Sequence, residues 1–131
     1  MKPILTAHLG GHRGRMGLSL RGPCATPADA DRLQRAVRHL LASQDPEAWV
    51  DCQGLDTLTD AGLQVLLRAD GHARAAGTCL YWCGLTAPVL GQLAAAGQAA
   101  ALQLAPIAAF RGPRFVLYEV PPGATPARSI P

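Results

Sequence analysis

Charged and aromatic residues are scarce in this chain of 131 residues. Charged residues make up 16% of the sequence and aromatic residues 5%, whereas hydrophobic residues make up 49%. A chain this apolar can bury enough surface to fold, which excludes an intrinsically disordered protein. The shortage of aromatic side chains argues against a pocket walled by large rings. We expect one small globular domain at 1–120, followed by a flexible tail at 121–131.

Net positive charge is small, at +3, and the sequence contains a single lysine. Nucleic-acid-binding proteins usually show clustered Lys and Arg with stacking aromatic residues, so we expect no nucleic-acid partner. The charge is unevenly distributed. Residues 1–44 carry +5 and residues 45–100 carry −4. The middle of the chain is therefore acidic.

No long unbroken hydrophobic run is present. Residues 75–110 contain no charge, but glycine, proline and glutamine residues interrupt them, and alanine contributes little transfer energy into a bilayer. We therefore expect no transmembrane segment. The first 15 residues contain two histidines and Arg13 before any apolar run forms, unlike a secretory signal. The expected location is the cytoplasm.

Patterns that hold metals or cofactors are absent from the sequence. The four cysteines form no C-x-x-C pair, and Cys79 and Cys83 lie roughly 13 Å apart on a predicted strand. The glycine-rich run at 10–14 lacks the following helix that would make it a phosphate-binding loop. We therefore expect no metal and no cofactor.

Strands alternate with helices along the chain. Thr26 and Pro27 begin a predicted helix, because a threonine N-cap followed by proline is typical of helix starts. Hydrophobic residues at helical spacing continue it to Leu41, with Arg32, Arg35, Arg38 and His39 facing elsewhere. A second helix is expected to begin at 57–60 and to end before Gly77, and a short third helix to run from Thr86 to Gly97. Strands are expected at 3–9, 16–21, 48–55, 78–85, 101–105 and 114–120.

This alternation predicts the α/β class, with a mixed, mostly parallel sheet flanked by helices and an extra C-terminal strand. In the strand at 48–55, Ala48 and Cys52 share one face, and Trp49 and Gln53 the other.

The most informative run is Val50–Leu67, which reads VDCQGLDTLTDAGLQVLL. It resembles the STAS domain, the module shared by sulphate transporters and anti-sigma factor antagonists. In that family a strand ends in Asp, a loop leads to Asp-Ser-Ser/Ala-Gly-Leu at a helix start, and a glycine closes the helix. The resemblance covers roughly residues 16–105 and implies a STAS-like fold. Aligned on Gly62 and Leu63, this sequence has Thr59 at the family's Asp and Asp60 at the phosphorylatable Ser.

Two interpretations of Asp60 remain open. An acid in the first turn of a helix is stabilised by the unpaired N–H groups and the helix dipole, so Asp60 can be an ordinary capping residue. It can also be a carboxylate fixed in a phosphate-like state at a docking surface. We expect Thr57 and Thr59 both to be engaged as helix caps. The candidate docking and switch residues are Asp56, Thr57, Thr59, Asp60, Gly62, Gln64 and Arg68.

The resemblance implies a non-catalytic regulatory domain that binds a protein, namely an anti-sigma factor kinase-like regulator. An alternative is the STAS subunit of a lipid-transport ATPase complex, where the partner is a transporter ATPase subunit, and a homodimer is a further interpretation. The rival from another class is a small-ligand or nucleotide-binding domain, or a small enzyme, that uses Asp56, Asp60 and His72 at the carboxyl end of the sheet. The sequence offers no convincing nucleophile for the enzyme interpretation.

Overall fold

The computed structural model describes residues 4–11, 15–110 and 118–119. Its strands are β1 (Thr6–Gly10), β2 (Gly17–Cys24), β3 (Glu47–Leu58), β4 (Cys79–Cys83), β5 (Gln103–Ala105) and β6 (Tyr118–Glu119). Its helices are α1 (Pro27–Leu41), α2 (Asp60–Ala75) and α3 (Ala87–Ala95), with short 3-10 turns at Ala99–Ala101 and Ile107–Ala109.

The described strands form one six-stranded sheet in the order β5-β4-β3-β2-β1-β6. Strands β2 to β5 are parallel, and β1 is antiparallel to both β2 and β6. The predicted α/β class and mixed, mostly parallel sheet are confirmed. The expected C-terminal strand is present at Tyr118–Glu119, while the rest of 114–120 and the expected tail at 121–131 lie outside the described residues.

The main core lies between one face of the sheet and the three helices. Alternate strand residues such as Leu18, Leu20 and Val50 are fully buried there, since successive strand side chains point to opposite faces. The helices contribute apolar stripes, including Leu33, Leu66 and Leu93. All of these side chains belong to one continuous cluster, so the helices cover a single face of the sheet.

A smaller cluster covers the opposite face. Trp49, Cys83 and Phe110 are buried together, and Tyr81 and Ile107 pack against them. The rings of Trp49 and Tyr81 stack with their centroids 5.8 Å apart. The predicted alternation is confirmed, since Trp49 lies on the opposite face of β3 from Ala48 and Cys52. Residues of the chain after β5, Ile107 and Phe110, cover this second face.

Two strands are longer than predicted. The predicted strands end at Arg21 and Leu55, whereas β2 continues to Cys24 and β3 to Leu58. Their ends pair with each other in parallel, with Cys24 opposite Leu58 and register shifts on the way. This tertiary pairing lengthens both strands and delays the start of α2 until Asp60.

The hydrophobic stripes predicted for the helices are buried, and some residues outside those stripes are buried as well. His39, expected to face away from the core, is only 7% exposed. The reason is that α1 packs against α2 as well as against β1 and β2, so a wider arc of the helix is covered. At α3, Thr86 occupies the N-cap position but makes no capping hydrogen bond.

A buried carboxylate joins the first strands to α1. Asp29 Oδ1 accepts hydrogen bonds from the N–H of Leu5 at 3.0 Å and from Arg32 Nη1 at 3.1 Å. Asp29 Oδ2 accepts from the N–H of Ala25 at 3.2 Å, and the N–H of Asp29 donates to the Thr26 cap hydroxyl. Burial by itself raises the pKa of Asp29, but the hydrogen bonds outweigh it and hold the pKa below its ordinary value of 3.8.

A second buried carboxylate sets the position of α2. Asp70 is 3% exposed, and its Oδ1 accepts a hydrogen bond from Trp82 Nε1 at 2.8 Å. Its Oδ2 accepts from Arg74 Nη2 at 2.8 Å, and the same nitrogen donates to the carbonyl oxygen of Ala101. Asp70 therefore fixes α2 to β4 and, through Arg74, to the turn before β5.

The faces of α2 can be tested with two substitutions. Leu66 is fully buried whereas Arg68 is exposed. We expect Leu66→Ala to lower the free energy of unfolding by about 2–5 kcal/mol, because it leaves a cavity in the core. Arg68→Ala should change it by no more than about 0.5 kcal/mol. Urea melts measure both values, and equal losses would show that the assignment of faces is wrong.

Asp29 makes folding depend on pH. Because its pKa is lower in the folded chain, the ionised carboxylate stabilises the fold above the ordinary value of 3.8, and this contribution is lost as pH falls through the folded-state pKa. We expect Asp29→Asn to destabilise the protein by about 1–3 kcal/mol at pH 7, and by progressively less in acid. Asp31→Asn, which alters an exposed residue paired with Arg35, is the matched control. A loss for Asp29→Asn that stayed constant from pH 7 to acid would contradict this assignment.

Candidate functional site

The candidate site lies where β3 ends and α2 begins, at the carboxyl end of the parallel strands. Thr59 is the N-cap of α2, and its hydroxyl accepts a hydrogen bond from the N–H of Gly62 at 3.1 Å. The N–H and the hydroxyl of Thr59 both donate to the carbonyl oxygen of Cys24, at 3.1 and 3.4 Å. The cap therefore also anchors the start of α2 to the end of β2.

Gly62 allows this close approach. A Cβ atom at this position would lie 2.5 Å from the carbonyl oxygen of Cys24 and 3.2 Å from Cys24 Sγ. Gly62 is itself buried, so it cannot present a side chain or much surface to a partner. Among the candidate residues it has a positioning role, which is to let α2 pack against β2.

Asp60 is the first residue of α2, and it is exposed. Within the described part of the chain its carboxylate has no hydrogen bond and no ion pair, and the capping position belongs to Thr59. The free carboxylate still lies in the first turn, where the helix dipole favours a negative charge. The geometry therefore shows no capping hydrogen bond from Asp60, but its position still agrees with stabilisation by the helix dipole.

The position of Thr57 differs from the one predicted, because Thr57 does not cap the helix. We expected Thr57 and Thr59 both to be helix caps, but Thr57 is an exposed residue of β3, opposite Pro23 in the parallel ladder. The reason is the extension of β3, which places Thr57 two residues before the cap. Only the Thr59 hydroxyl is taken up by the cap.

The outer face of α2 continues the site. Gln64 and Arg68 follow Asp60 at intervals of four residues, and all three are exposed. Each interval is about 6 Å along the helix axis. Asp56, before the turn, is exposed as well. The structure therefore places Asp56, Thr57, Asp60, Gln64 and Arg68 at the surface, on one continuous stretch of chain.

The residues of the enzyme interpretation do not converge. Asp60 and His72 are twelve residues apart on one straight element, which corresponds to about 18 Å. They cannot act on the same substrate atom. Ser19, remote from the site, donates to Asp51 Oδ2 at 3.2 Å, and Ser43 donates to the carbonyl oxygen of Leu40.

The buried thiols are poor nucleophiles. Burial, assisted by Asp29, raises the pKa of Cys24 to about 11. Burial, assisted by Asp51, raises the pKa of Cys83 to about 11, and burial also raises the pKa of Cys52. These groups are protonated at neutral pH, when the reactive thiolate would be needed. The described ranges contain no group of three or more His, Cys, Asp or Glu side chains that could hold a metal ion.

Two side chains that position the site were missed by the sequence reasoning. Gln92 of α3 donates a hydrogen bond from Nε2 to the carbonyl oxygen of Leu58, the residue just before the cap. Asp70 orients α2 through Trp82. A buried indole N–H requires an acceptor, which is a usable signal for a partner of Trp82 but does not identify Asp70. No sequence signal points to Gln92.

The fold and the site together define a small α/β domain with a polar surface at a strand-to-helix turn and no converging catalytic groups among its described residues. The family model described as "Mlab, STAS domain" matches residues 7–119. The chain belongs to the STAS-domain family, whose members generally mediate protein–protein interactions. No curated protein matches the chain significantly. Among the described residues, no helix combines the length and the apolar character needed to cross a membrane.

Two glycines of α2 provide a matched test of how the site is positioned. We expect Gly62→Ala to lower the free energy of unfolding by about 1–3 kcal/mol, because its Cβ would meet the Cys24 carbonyl. Gly71→Ala should raise it by about 0.5–1 kcal/mol, since a Cβ there meets nothing within 4 Å and alanine favours the helix. Urea melts compare the variants, and stabilisation by Gly62→Ala would contradict the close approach of α2 to β2.

Proposed function

We propose that this chain is a non-catalytic regulatory domain that binds a protein partner through the Asp60 surface, defined as Asp56, Thr57, Asp60, Gln64 and Arg68. The observation that carries the proposal is the free, exposed carboxylate of Asp60 beside a cap already made by Thr59. Because the fold does not use this carboxylate in a hydrogen bond or ion pair among the described residues, it is available to a partner.

The charge at position 60 is permanent. A phosphoserine carries about −1.5 to −2 charges at neutral pH and can be removed, whereas an aspartate carries a single charge that no phosphatase removes. Asp60 also has no hydroxyl that could accept a phosphoryl group. We infer that partner binding at this surface is not switched by phosphorylation of residue 60.

We infer the partner from the resemblance to anti-sigma factor antagonists. It is an anti-sigma factor kinase-like regulator, and the two proteins would meet in a bacterial cytoplasm. A second candidate is a transporter ATPase subunit. It is favoured by the run Thr-Asp-Ala-Gly-Leu-Gln at 59–64, which resembles STAS subunits of lipid-transport ATPases. The permanent charge at position 60 also suits a constitutive subunit better than a reversible switch.

Affinity purification from the native host, with quantification by mass spectrometry, tests the surface and identifies the partner. We expect Asp60→Lys to reduce recovery of the specific partner about tenfold or more, since it reverses a charge at the interface. Asp31→Lys is the matched control, because Asp31 is an exposed acid near the start of α1. Thermal melts establish that both variants fold. Equal recovery with both variants would show that Asp60 is not at the docking surface.

Adding kinase and ATP to the chain and its purified partner tests whether phosphorylation changes their binding. Binding of the natural chain should persist, whereas Asp60→Ser should create phosphorylation-sensitive binding. Thr57 is the exposed hydroxyl residue nearest to Asp60 in the sequence, and Thr57→Val removes its hydroxyl as a phosphoryl acceptor. Stoichiometric phosphorylation of Thr57 with loss of binding would contradict the expected persistence of binding and would place a switch at Thr57.

A further inference from the structure

The outer face of α2 carries two opposite charges at equal distances from a central amide. Asp60 lies four residues before Gln64, and Arg68 lies four residues after it, so each charge is about 6 Å from Gln64 along the helix axis. All three side chains are exposed. In the described residues, neither Asp60 nor Arg68 has an ion-pair partner.

Six charged residues on the helices are paired within their own helix. Arg32 pairs with Asp29 at 3.1 Å, Arg35 with Asp31 at 2.8 Å, and Arg74 with Asp70 at 2.8 Å, all three or four residues apart. Asp60 and Arg68 are eight residues apart, about 12 Å, which is too far for the same kind of pair. Among the described residues both charges are unpaired, so each can pair with an opposite charge on another molecule.

We propose that α2 docks against α2 of a second copy of this chain, antiparallel and around a two-fold axis at Gln64. The two-fold operation places Asp60 of each copy opposite Arg68 of the other and brings the two Gln64 amides together. An interface of this kind is self-complementary, because each subunit contributes the same patch. The symmetric placement of the charges about Gln64 is what selects a second copy as the occupant.

A small residue near the axis leaves room for the second helix. Ala61 is exposed on α2, three residues before Gln64. Small side chains at such a face permit the interaxial distances of 8–10 Å at which helices pack.

The expected dimer is weak and sensitive to salt. One face of a 16-residue helix offers less than the roughly 800 Å² per partner of a standard interface. Ion pairs at its rim are screened as ionic strength rises. The dimer uses the same face as the proposed partner surface but does not rest on that function, since self-association is measured on the purified chain alone.

Sedimentation equilibrium over a range of concentrations up to the millimolar tests the charge pattern. We expect a monomer–dimer equilibrium whose dissociation constant rises about tenfold or more in Asp60→Arg and in Arg68→Asp. The double variant restores the complementary pairs across the two-fold axis and should recover most of the affinity. Arg38→Asp, at an exposed position of α1, makes the same charge change elsewhere and should leave the dissociation constant unchanged.

Cross-linking tests the position of the axis. A cysteine at the axis meets its own symmetry mate, so Gln64→Cys should form a disulfide-linked dimer on mild oxidation, whereas Arg38→Cys should not. The natural Cys79 is half-buried, and the Arg38→Cys control reports its background. A chain that stays monomeric at all concentrations would overturn the proposal. A dimer that is unaffected by both charge reversals, or not captured at position 64, would overturn it as well.

Discussion

The carbonyl oxygen of Cys24 accepts hydrogen bonds from the backbone and the hydroxyl of Thr59, and the position of α2 depends on that contact. Asp29 accepts a hydrogen bond from the N–H of the adjacent residue, Ala25, which also helps to hold this end of β2 in place. Gly62 then brings the first turn of the helix against the same carbonyl. The Cys24 carbonyl and Gly62 thus set where the first turn of α2, which carries Asp60, meets the sheet.

Acidic residues in this fold are divided between two tasks. Asp29 and Asp70 are buried, and each accepts a hydrogen bond that connects separate elements, Asp29 from the N–H of Leu5 and Asp70 from Trp82 Nε1. Removing such a buried acceptor leaves its donors without a hydrogen-bond partner, so we assign these two residues to the stability of the fold. Asp56 and Asp60 are exposed and have no such structural bonds among the described residues. Their contribution must therefore be sought at the surface.

The sequence allowed the sheet class, the three helices and a start of α2 within 57–60 to be predicted, because local signals specify them. Helical spacing marks Leu63 and Leu66, and a threonine before a helix marks a cap. The end of β3 and the exposure of Thr57 depend on pairing with β2, a contact between residues more than 30 positions apart. The burial of His39 and the bond between Asp70 and Trp82 are also tertiary, so no local pattern encodes them.

Helix α3 has few of the features that stabilise the other two. It has nine residues, no capping side-chain hydrogen bond and a glycine at position 91, whose Cβ would meet nothing within 4 Å. A short helix of this kind opens at a lower free energy than the core elements, so its amide hydrogens should exchange with solvent earlier than those of α1 and α2. Gln92 leaves the carbonyl of Leu58 when α3 opens, and the residue that follows Leu58 is the cap of α2. We therefore expect fluctuations of α3 to reach the proposed Asp60 surface through the side-chain amide of Gln92.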